Sequence, residues 1–299
     1  MTGRRTSLDD VGTMRAFNRA VTERIGALDE HYLARGRPLG ASRLLWEIAA
    51  DGTDLRALRA RLALDSGYLS RLLRALERDG LVTVGPLESD RRVRVARRTQ
   101  AGDAEVAELD RLSDDLARRL LEPLDERQRS RLLDAVATVE RLLTAGMVEI
   151  APADARSDEA RFCVDSYFAE LDRRMEGGFD AALSRYADIA EFVEPAGMVL
   201  LARLRGEPVG CGALRFGDDR VTEIKRMWLS KGVRGLGLGR RLLAELERHA
   251  GEHGARLLRL DTNHVLEEAI ALYRGAGYVD VPAFNDERHA DHWFQKRLA

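Results

Sequence analysis

The sequence has few cysteines and histidines, only three lysines, and no long apolar run. Its two cysteines, Cys163 and Cys211, are far apart and show no metal-ligand spacing, so we expect free thiols in a reducing compartment. No stretch approaches the roughly 18 uninterrupted apolar residues of a membrane span. The N-terminus lacks the apolar region of a signal peptide. These absences predict a cytoplasmic protein without a membrane partner.

Histidine pairs do not indicate a metal site. His249 and His253 lie four residues apart near a predicted helix end, and His289 and His292 are close together. Neither pair has a third ligand at suitable spacing, so no metal is expected.

Charge is nearly balanced over the 299 residues, with a formal net charge of −2, but it is unevenly distributed. Residues 56–98 hold 11 arginines against five acidic residues, a local net charge of +6. Such an excess favours an anionic partner.

The pattern of apolar residues changes near residue 146. Residues 1–146 read as mainly helical, whereas residues 147–299 mix strands and helices. Consecutive strands at 197–204, 207–216 and 220–229 are joined by short turns, which is typical of antiparallel pairing. We therefore predict two domains, the first mainly α and the second α+β with a mixed, mostly antiparallel sheet.

The most basic part of the first domain reads as a helix-turn-helix followed by a hairpin. Two helices occupy residues 54–79, and short strands follow at 81–84 and 91–96, with Asp90 expected to orient an arginine. The leucines of the second helix are expected to face the protein core. The outward-facing residues near its N-terminus are placed where a recognition helix contacts the major groove of DNA. A basic hairpin can reach the backbone or a minor groove. Solvated surface charge is the alternative. The predicted DNA contacts are Ser66, Tyr68, Ser70, Arg71, Arg74, Arg91 and Arg92.

The segments "DSGYLSRLLRALERDGLV", "SDRR" and "RRTQAG" resemble, in order and spacing, the MarR family of winged-helix regulators. The resemblance covers residues 8–146 and departs at Arg98-Thr99, where the family often has Leu-Thr. It implies a winged helix-turn-helix fold, a homodimer formed by the terminal helices and a palindromic double-stranded DNA operator. An apolar stripe over residues 132–143 fits either a dimer face or an intrachain core.

A glycine-rich run, "RGLGLG" at 234–239, follows a predicted strand and opens a helix. Backbone N–H groups at such a helix start bind anions. A P-loop is excluded, because Arg240-Arg241 stands where Lys-Ser/Thr is required. A dinucleotide fold stays open as an alternative, since Asp261 ends the next strand, but its third glycine is missing. A glycine-rich helix entry without a ligand is a further alternative.

The same run resembles the coenzyme A pyrophosphate loop of GNAT acetyltransferases, and "LDTNHVLEEAIALYRGAGYVDV" at 260–281 resembles a later motif of that family. The resemblance covers residues 147–299 and implies acetyl-CoA as co-substrate. It departs at Leu266, where the family often has an asparagine, and Asn263 lies nearby. The implied cofactor contacts are Met227, Trp228, Leu229, Arg234, Gly235, Gly237, Leu238, Gly239 and Arg240.

Two residues are the predicted catalytic groups. Glu223, on the strand before the turn, is expected to accept the proton of the amine, directly or through water. Tyr273 matches the tyrosine that, in the family, protonates the departing thiolate. A surface carboxylate and core packing are the respective alternatives. Alternation along the strand predicts that Lys225 and Arg226 lie on opposite faces, with one of them binding an acidic group of the substrate.

These motifs together predict a bifunctional protein, a DNA-binding transcription regulator fused to an acetyl-CoA-dependent N-acetyltransferase of a small amine or amino acid. One alternative is a regulator whose second domain only senses acetyl-CoA or a small ligand without turnover. Another is an enzyme whose first domain serves dimerisation alone.

Overall fold

The structure is a computed structural model that describes residues 7–87, 89–175, 178–179 and 189–298. The chain divides into two compact units, Met1–Ala135 and Val136–Ala299. The division falls inside a long helix, and the domain boundary predicted between residues 146 and 147 stays a prediction. None of the helices in the described ranges combines the length and apolarity that a membrane span requires.

The N-terminal half is built from helices around a small sheet. Its helices are Leu8–Arg24 (α1), Leu39–Glu47 (α2), Leu55–Leu62 (α3), Ser66–Arg78 (α4), Gln100–Leu121 (α5) and Glu126–Gly146 (α6). Its strands pair in the order β1-β3-β2 and are Thr53–Asp54 (β1), Val82–Pro86 (β2) and Arg94–Arg98 (β3). The core consists mainly of leucines from α2, α3 and α4, among which Leu44, Leu58 and Leu76 are fully buried.

Helix α4 begins and packs as its sequence predicts. Asp65 precedes it, and the Asp65 carboxylate accepts the backbone N–H of Tyr68 at 2.8 Å, which satisfies one free donor of the first turn. Its buried residues are Leu69, Leu72, Leu73 and Leu76, spaced at three, one and three positions. This spacing puts all four on one face of the helix.

The hairpin differs from its prediction in the position of its second strand. β3 begins at Arg94, three residues later than predicted, because Asp90 closes the turn. The Asp90 carboxylate accepts the backbone N–H of Arg92 at 2.9 Å, and its carbonyl accepts that of Val93 at 3.0 Å. The expectation that Asp90 orients an arginine side chain is therefore wrong, since its contact is with the backbone.

The second unit is organised around one sheet. In the described part of the chain, seven strands pair in the order β4-β5-β6-β7-β8-β10-β9. They are Val148–Ala153 (β4), Gly197–Leu204 (β5), Glu207–Phe216 (β6), Val221–Leu229 (β7), Leu257–Thr262 (β8), Val279–Asp280 (β9) and His292–Arg297 (β10). β7 and β8 are parallel and the other neighbours antiparallel, so the predicted mixed, mostly antiparallel sheet is confirmed.

Helices cover both faces of this sheet. They are Asp158–Arg174 (α7), Leu238–Glu252 (α8) and Glu267–Gly275 (α9). Successive residues of β5 belong to different clusters on opposite faces of the sheet. Leu200 packs with α8 and α9, whereas Leu201 packs with α7. Cys163 and Cys211 are free thiols, as expected, and although far apart in sequence they lie in one buried cluster on the α7 side.

Candidate active site

The site lies where the two parallel strands part. β7 and β8 pair from Val221 to Glu223, while β7 continues to Leu229. Beyond this point β8 remains paired to β10 on its other side. The ends of β7 and β8 can therefore separate, and residues from both strands line a cavity there.

A β-bulge distorts β7 at this opening. The register between β6 and β7 shifts, so that Arg226 and Met227 stand opposite a single residue, Gly212. Arg226 has a φ of +53°, in the left-handed region that non-glycine residues adopt rarely. The bulge breaks the alternation of side chains, and both Lys225 and Arg226 line the cavity. The prediction that these two residues lie on opposite faces is therefore wrong.

The cavity beside the bulge has a volume of about 380 Å³ and a wall that is both aromatic and charged. Lys225 forms ion pairs with Asp261, at the end of β8, and with Glu223 at 3.3 Å. The Asn285 amide also donates to Asp261, at 3.1 Å. The described lining of the cavity includes Tyr167, Phe168, Leu171, Phe192, Arg215, Lys225, Arg226, Asp261 and Leu266.

The three glycines of the predicted anion loop have different structural roles. Gly235 and Gly237 both have a φ of +75°, and a Cβ at either position would meet no atom within 4 Å. α8 begins at Leu238, and no side chain of the described residues caps its first turn. Its first N–H groups are therefore available to an external anion. Gly239 permits close packing instead, because a Cβ there would lie 3.2 Å from Leu272 Cδ2.

Arg234 is fastened inside the protein. Its guanidinium donates to the Leu229 carbonyl at 2.8 Å and forms a bidentate ion pair with Glu170. Glu170, buried on α7, also accepts the indole N–H of Trp228 at 3.0 Å. Burial raises the pKa of Glu170, but Arg234 and Trp228 outweigh it and hold that pKa below its usual value. The pair ties α7 to the end of β7 and to the start of the glycine turn.

Tyr273 lies on α9 within the buried cluster beneath the sheet. Its hydroxyl is 3.9 Å from Met227 Sδ, so the structure brings it to the bulge. Burial raises the pKa of Tyr273, and the nearby Asp261 carboxylate raises it further. The hydroxyl consequently keeps its proton at neutral pH.

Glu223 lies just before the strands part, and two cations hold its carboxylate. Arg215 donates to Oε1 at 2.7 Å, and Lys225 Nζ lies 3.3 Å from Oε2. Burial raises the pKa of Glu223, but Lys225 and Arg215 together hold that pKa below its usual value. The carboxylate stays ionised, and its side chain lies outside the described wall of the cavity.

Known proteins match this part of the chain. The family model for the Acetyltransferase (GNAT) family matches residues 164–278, which contain the bulge, the glycine turn and Tyr273. The IAA acetyltransferase of Azospirillum brasilense is 34% identical over 127 residues, which make up 42% of this chain and 83% of that protein. The chain belongs to the GNAT acetyltransferase family. It is an N-acetyltransferase, which transfers an acetyl group from acetyl-CoA to an amine.

Further similarities involve the same family. An N-acetyltransferase of Schizosaccharomyces pombe, itself uncharacterised, is 29% identical over 128 residues, 40% of this chain and 75% of that protein. The crystal structure of a GNAT acetyltransferase from Staphylococcus aureus is similar over 51% of this chain and 99% of that chain, with 16% identity and a TM-score of 0.44.

The glycine turn of this GNAT domain is open to an anion. Its left-handed glycines keep side chains away from the first turn of α8, whose N–H groups have no side-chain cap in the described residues. Arg240 is exposed beside it, with its guanidinium near Gly275. Asn263, the nearest asparagine to the departure at Leu266, uses its amide locally, donating to the His289 carbonyl at 2.7 Å and accepting the Val265 N–H at 3.1 Å.

The predicted DNA contacts lie on α4 and on the hairpin of the first unit. Ser66, Arg71 and Arg74 of α4 are exposed, as are Arg91 and Arg92 of the turn. Tyr68 and Ser70 are half-buried. The Tyr68 hydroxyl abuts Gly40, where a Cβ would lie 2.8 Å away, and the Arg71 guanidinium lies 5.5 Å from the Tyr68 ring centroid.

Sequence analysis missed two features that shape the site but lie outside the recognised motifs, namely the ion pair of Glu170 and the bulge in β7. Glu170 occupies an ordinary helical position, and no spacing signals its pair with Arg234. The bulge at Arg226 depends on pairing with β6, so one strand alone does not reveal it. Among the described residues, no group of three or more His, Cys, Asp or Glu side chains could hold a metal ion.

Proposed function

We propose that this chain is bifunctional, an acetyl-CoA-dependent N-acetyltransferase of a small amine or amino acid joined to a DNA-binding transcription regulator of the MarR type. Two features of the same sheet carry the catalytic proposal. The start of α8 at Gly237 has no side-chain cap from Gly237, and the wall of the cavity includes the β7 bulge. The regulatory proposal rests on the basic face of α4 and the arginine-bearing hairpin.

The glycine turn and the end of β7 would hold acetyl-CoA. Bound acetyl-CoA supplies the activated acetyl group that the amine receives. In this proposal the backbone at Met227, Trp228 and Leu229 binds the pantetheine arm and the developing oxyanion. The pyrophosphate is bound by N–H groups of the turn, at Gly235, Gly237, Leu238, Gly239 and Arg240. Arg234 contributes by keeping the turn in place through its ion pair with Glu170.

Tyr273 is the proposed general acid. It holds its proton at neutral pH, and its described neighbour Met227 Sδ is a weak hydrogen-bond acceptor. The proton is therefore available to a thiolate that develops beside the bulge.

Glu223 is the proposed base, acting through water because it lies outside the described cavity wall. Its two cationic partners also support a second role, in which it positions Lys225. A pH profile of Glu223→Gln separates the two. If the decrease of kcat/KM at low pH disappears in the variant, Glu223 acts as a base. If the pH profile of kcat/KM keeps its shape and the KM for the amine rises, Glu223 positions Lys225.

Thiol release in the presence of an amine panel tests the catalytic proposal. We expect Tyr273→Phe to lower kcat about 10²- to 10⁴-fold while acetyl-CoA affinity measured by calorimetry is kept. Tyr278→Phe is the matched control, since it removes a hydroxyl from a buried ring 5.9 Å away. Equal loss in both variants would overturn the acid role. Acetyl-CoA binding without thiol release for any amine would favour a sensor.

The DNA-binding proposal predicts a salt-dependent interaction with a palindromic operator. Its contacts are Ser66, Tyr68, Ser70, Arg71, Arg74, Arg91 and Arg92. We expect Arg71→Ala to weaken operator affinity about tenfold or more, because one bidentate base contact contributes about 1–3 kcal/mol. Arg78→Ala, exposed at the other end of α4, is the control. Equal affinity of the two variants, measured by fluorescence anisotropy, would remove α4 from the DNA interface.

A homodimer is the expected assembly of the regulator. α1 has no buried residue, and its apolar side chains Val11, Met14, Phe17 and Val21 recur at helical spacing. Apolar side chains of α6 are exposed as well. A second copy would cover these stripes, and sedimentation of the full chain measures this. Adding acetyl-CoA or acetylated product to the DNA titration tests whether the two functions are coupled.

A further inference from the structure

The two cysteines of the chain lie next to each other inside the second unit. Cys163 is on α7 and Cys211 on β6, and both side chains are buried in the cluster that joins this helix to the sheet. Their thiols are hydrogen-bonded to each other. Since the sequence holds only these two cysteines, each is the sole intrachain disulfide partner of the other.

The surroundings of Cys163 favour its thiolate, which is the reactive form of a cysteine. A hydrogen bond with Cys211 lowers the pKa of Cys163, and the backbone N–H of Gly210 lowers it further, although burial raises it. The hydrogen bond with Cys163 raises the pKa of Cys211, and burial adds to this rise. Cys163 is therefore the nucleophile of the pair, and Cys211 keeps its proton.

A small cavity leaves room for an oxidant beside the pair. It has a volume of about 20 Å³ and is lined by Cys211, by Phe192, and by Ala160 and Val164, which flank Cys163 on α7. About 10–15 Å³ is enough for one water molecule. Hydrogen peroxide is little larger than water, whereas oxidised glutathione is far too large for this space. The cavity therefore favours peroxide over a disulfide as the oxidant.

Cys211 also contacts the β7 bulge. Its Sγ lies 3.3 Å from the carbonyl oxygen of Arg226, which accepts its S–H while Cys163 is protonated. Arg226 has a φ of +53°, and strain of this kind persists only where the surrounding structure holds it. In the pairing of β6 with β7, Cys211 stands opposite Trp228, within the segment 227–229 proposed to bind the pantetheine arm. A change at this sulfur therefore acts on the bulge and on the proposed cofactor site.

We propose that hydrogen peroxide oxidises Cys163 and Cys211 to a disulfide, and that this modification weakens the binding of acetyl-CoA. The Cys163 thiolate attacks one peroxide oxygen and the O–O bond breaks. The departing hydroxide takes up the proton that Cys163 released, which gives water and a sulfenic acid. The Cys211 sulfur then attacks the Cys163 sulfur and displaces hydroxide, which leaves with the Cys211 proton as a second water. Two thiols lose two hydrogens, and one peroxide is reduced to two waters.

The disulfide changes the bulge in two ways. Cys211 loses its S–H, so the Arg226 carbonyl loses this donor. The two sulfurs also move from a hydrogen-bonded separation to about 2 Å, which draws β6 and α7 together beside the bulge. A displacement of about 1 Å in a site lowers its function up to about 100-fold. We therefore expect acetyl-CoA affinity to fall about tenfold or more, an effect that rests on the proposed place of the pantetheine arm.

Peptide mapping and calorimetry on the full chain test the two parts of this proposal. After peroxide treatment, trypsin should release residues 162–173 joined to residues 206–215, with two hydrogens fewer than the separate peptides. Acetyl-CoA should bind about tenfold or more weakly, and dithiothreitol should restore its affinity. This reversal distinguishes the disulfide from methionine sulfoxide, which requires a dedicated reductase. Oxidised glutathione at the same concentration should form the linked peptide far more slowly.

Cys163→Ala separates the disulfide from oxidation elsewhere. A buried cysteine packs as a small apolar residue, so the variant should keep the acetyl-CoA affinity of the reduced protein, both before and after peroxide treatment. Cys211→Ala is the complement, because it removes the S–H donor without forming a disulfide. It should bind acetyl-CoA about 2- to 10-fold more weakly without any oxidant, as for loss of one hydrogen bond.

Each part of the proposal can be overturned by itself. Unlinked peptides after peroxide treatment, or a linkage between two chains on a non-reducing gel, overturn the disulfide. Linked peptides with unchanged acetyl-CoA affinity overturn its effect on binding, as does an equal loss of affinity in Cys163→Ala. A reduced protein that binds no acetyl-CoA overturns the proposed cofactor site and this effect together, while the peptide map still decides whether the disulfide forms.

Discussion

Helices α4 and α8 both bury a leucine-rich face, but they begin in different ways. α4 starts after Asp65, whose carboxylate accepts an N–H group of the first turn at 2.8 Å. α8 starts after Gly237, which offers no side chain to cap it. A carboxylate cap neutralises the positive end of a helix, whereas an uncapped end can bind an external anion. The first helix can therefore meet a partner mainly through side chains, and the second through its backbone.

This difference makes the two interfaces sensitive to different changes. The proposed DNA contacts of α4 are side chains, which can be removed one at a time. The proposed coenzyme A contacts of α8 are N–H groups, which persist in side-chain variants that keep the turn. Substitutions at the starts of α4 and α8 therefore distinguish binding through side chains from binding through backbone N–H groups.

The largest effect is expected from giving α8 a carboxylate like that of α4. Gly237→Asp should lower acetyl-CoA affinity about 100-fold, because a negative charge then occupies the positive helix end and aspartate strains the φ of +75°. Gly254→Asp is the matched control, with a φ of +84° and equally open surroundings beyond the other end of α8. Calorimetry measures both. Similar affinities in the two variants would show that the turn is not the anion site.

Removal of the Glu170–Arg234 ion pair, which holds the glycine turn in place, should have a smaller effect, on the free energy of unfolding, and this effect depends on pH. Glu170→Gln removes the partner of Arg234, whose side chain is 33% exposed, so the loss of unfolding free energy should be about 1–3 kcal/mol at neutral pH. The folded-state pKa of Glu170 lies below its unfolded value of about 4.3. Its stabilisation is therefore complete above the unfolded pKa and disappears as pH falls through the folded pKa.

Denaturant titrations across this pH range measure the Glu170 effect. Glu252→Gln is the control, because Glu252 pairs with Arg248 at the surface, away from Glu170, and is 53% exposed. Its loss should stay below about 1 kcal/mol. A Glu170→Gln variant that is as stable as the control at neutral pH would remove the pair from the support of the turn.

Local patterns predicted most of the fold, and pairing between distant elements accounts for what they missed. The strands at 197–204 and 207–216 were predicted to the residue, because apolar runs and turns are local signals. The glycine turn was predicted for the same reason. The faces of Lys225 and Arg226 were not, because the bulge arises from the register with β6. Glu170 lies 64 residues from Arg234, and their contact exists only in the folded chain.

The smallest expected effect is at the capped helix. Asp65→Ala should lower the unfolding free energy of the first unit by about 1 kcal/mol, because the Tyr68 N–H loses its acceptor. Asp65→Asn should cost only a few tenths of a kcal/mol, since asparagine caps equally well without the charge. Acetyl-CoA affinity should be unchanged in both variants. Chemical denaturation measures the unfolding free energies, and calorimetry measures the acetyl-CoA affinities. If Asp65→Ala is as stable as Asp65→Asn, the hydrogen bond contributes nothing, and the contrast between the two helix starts reduces to their charge.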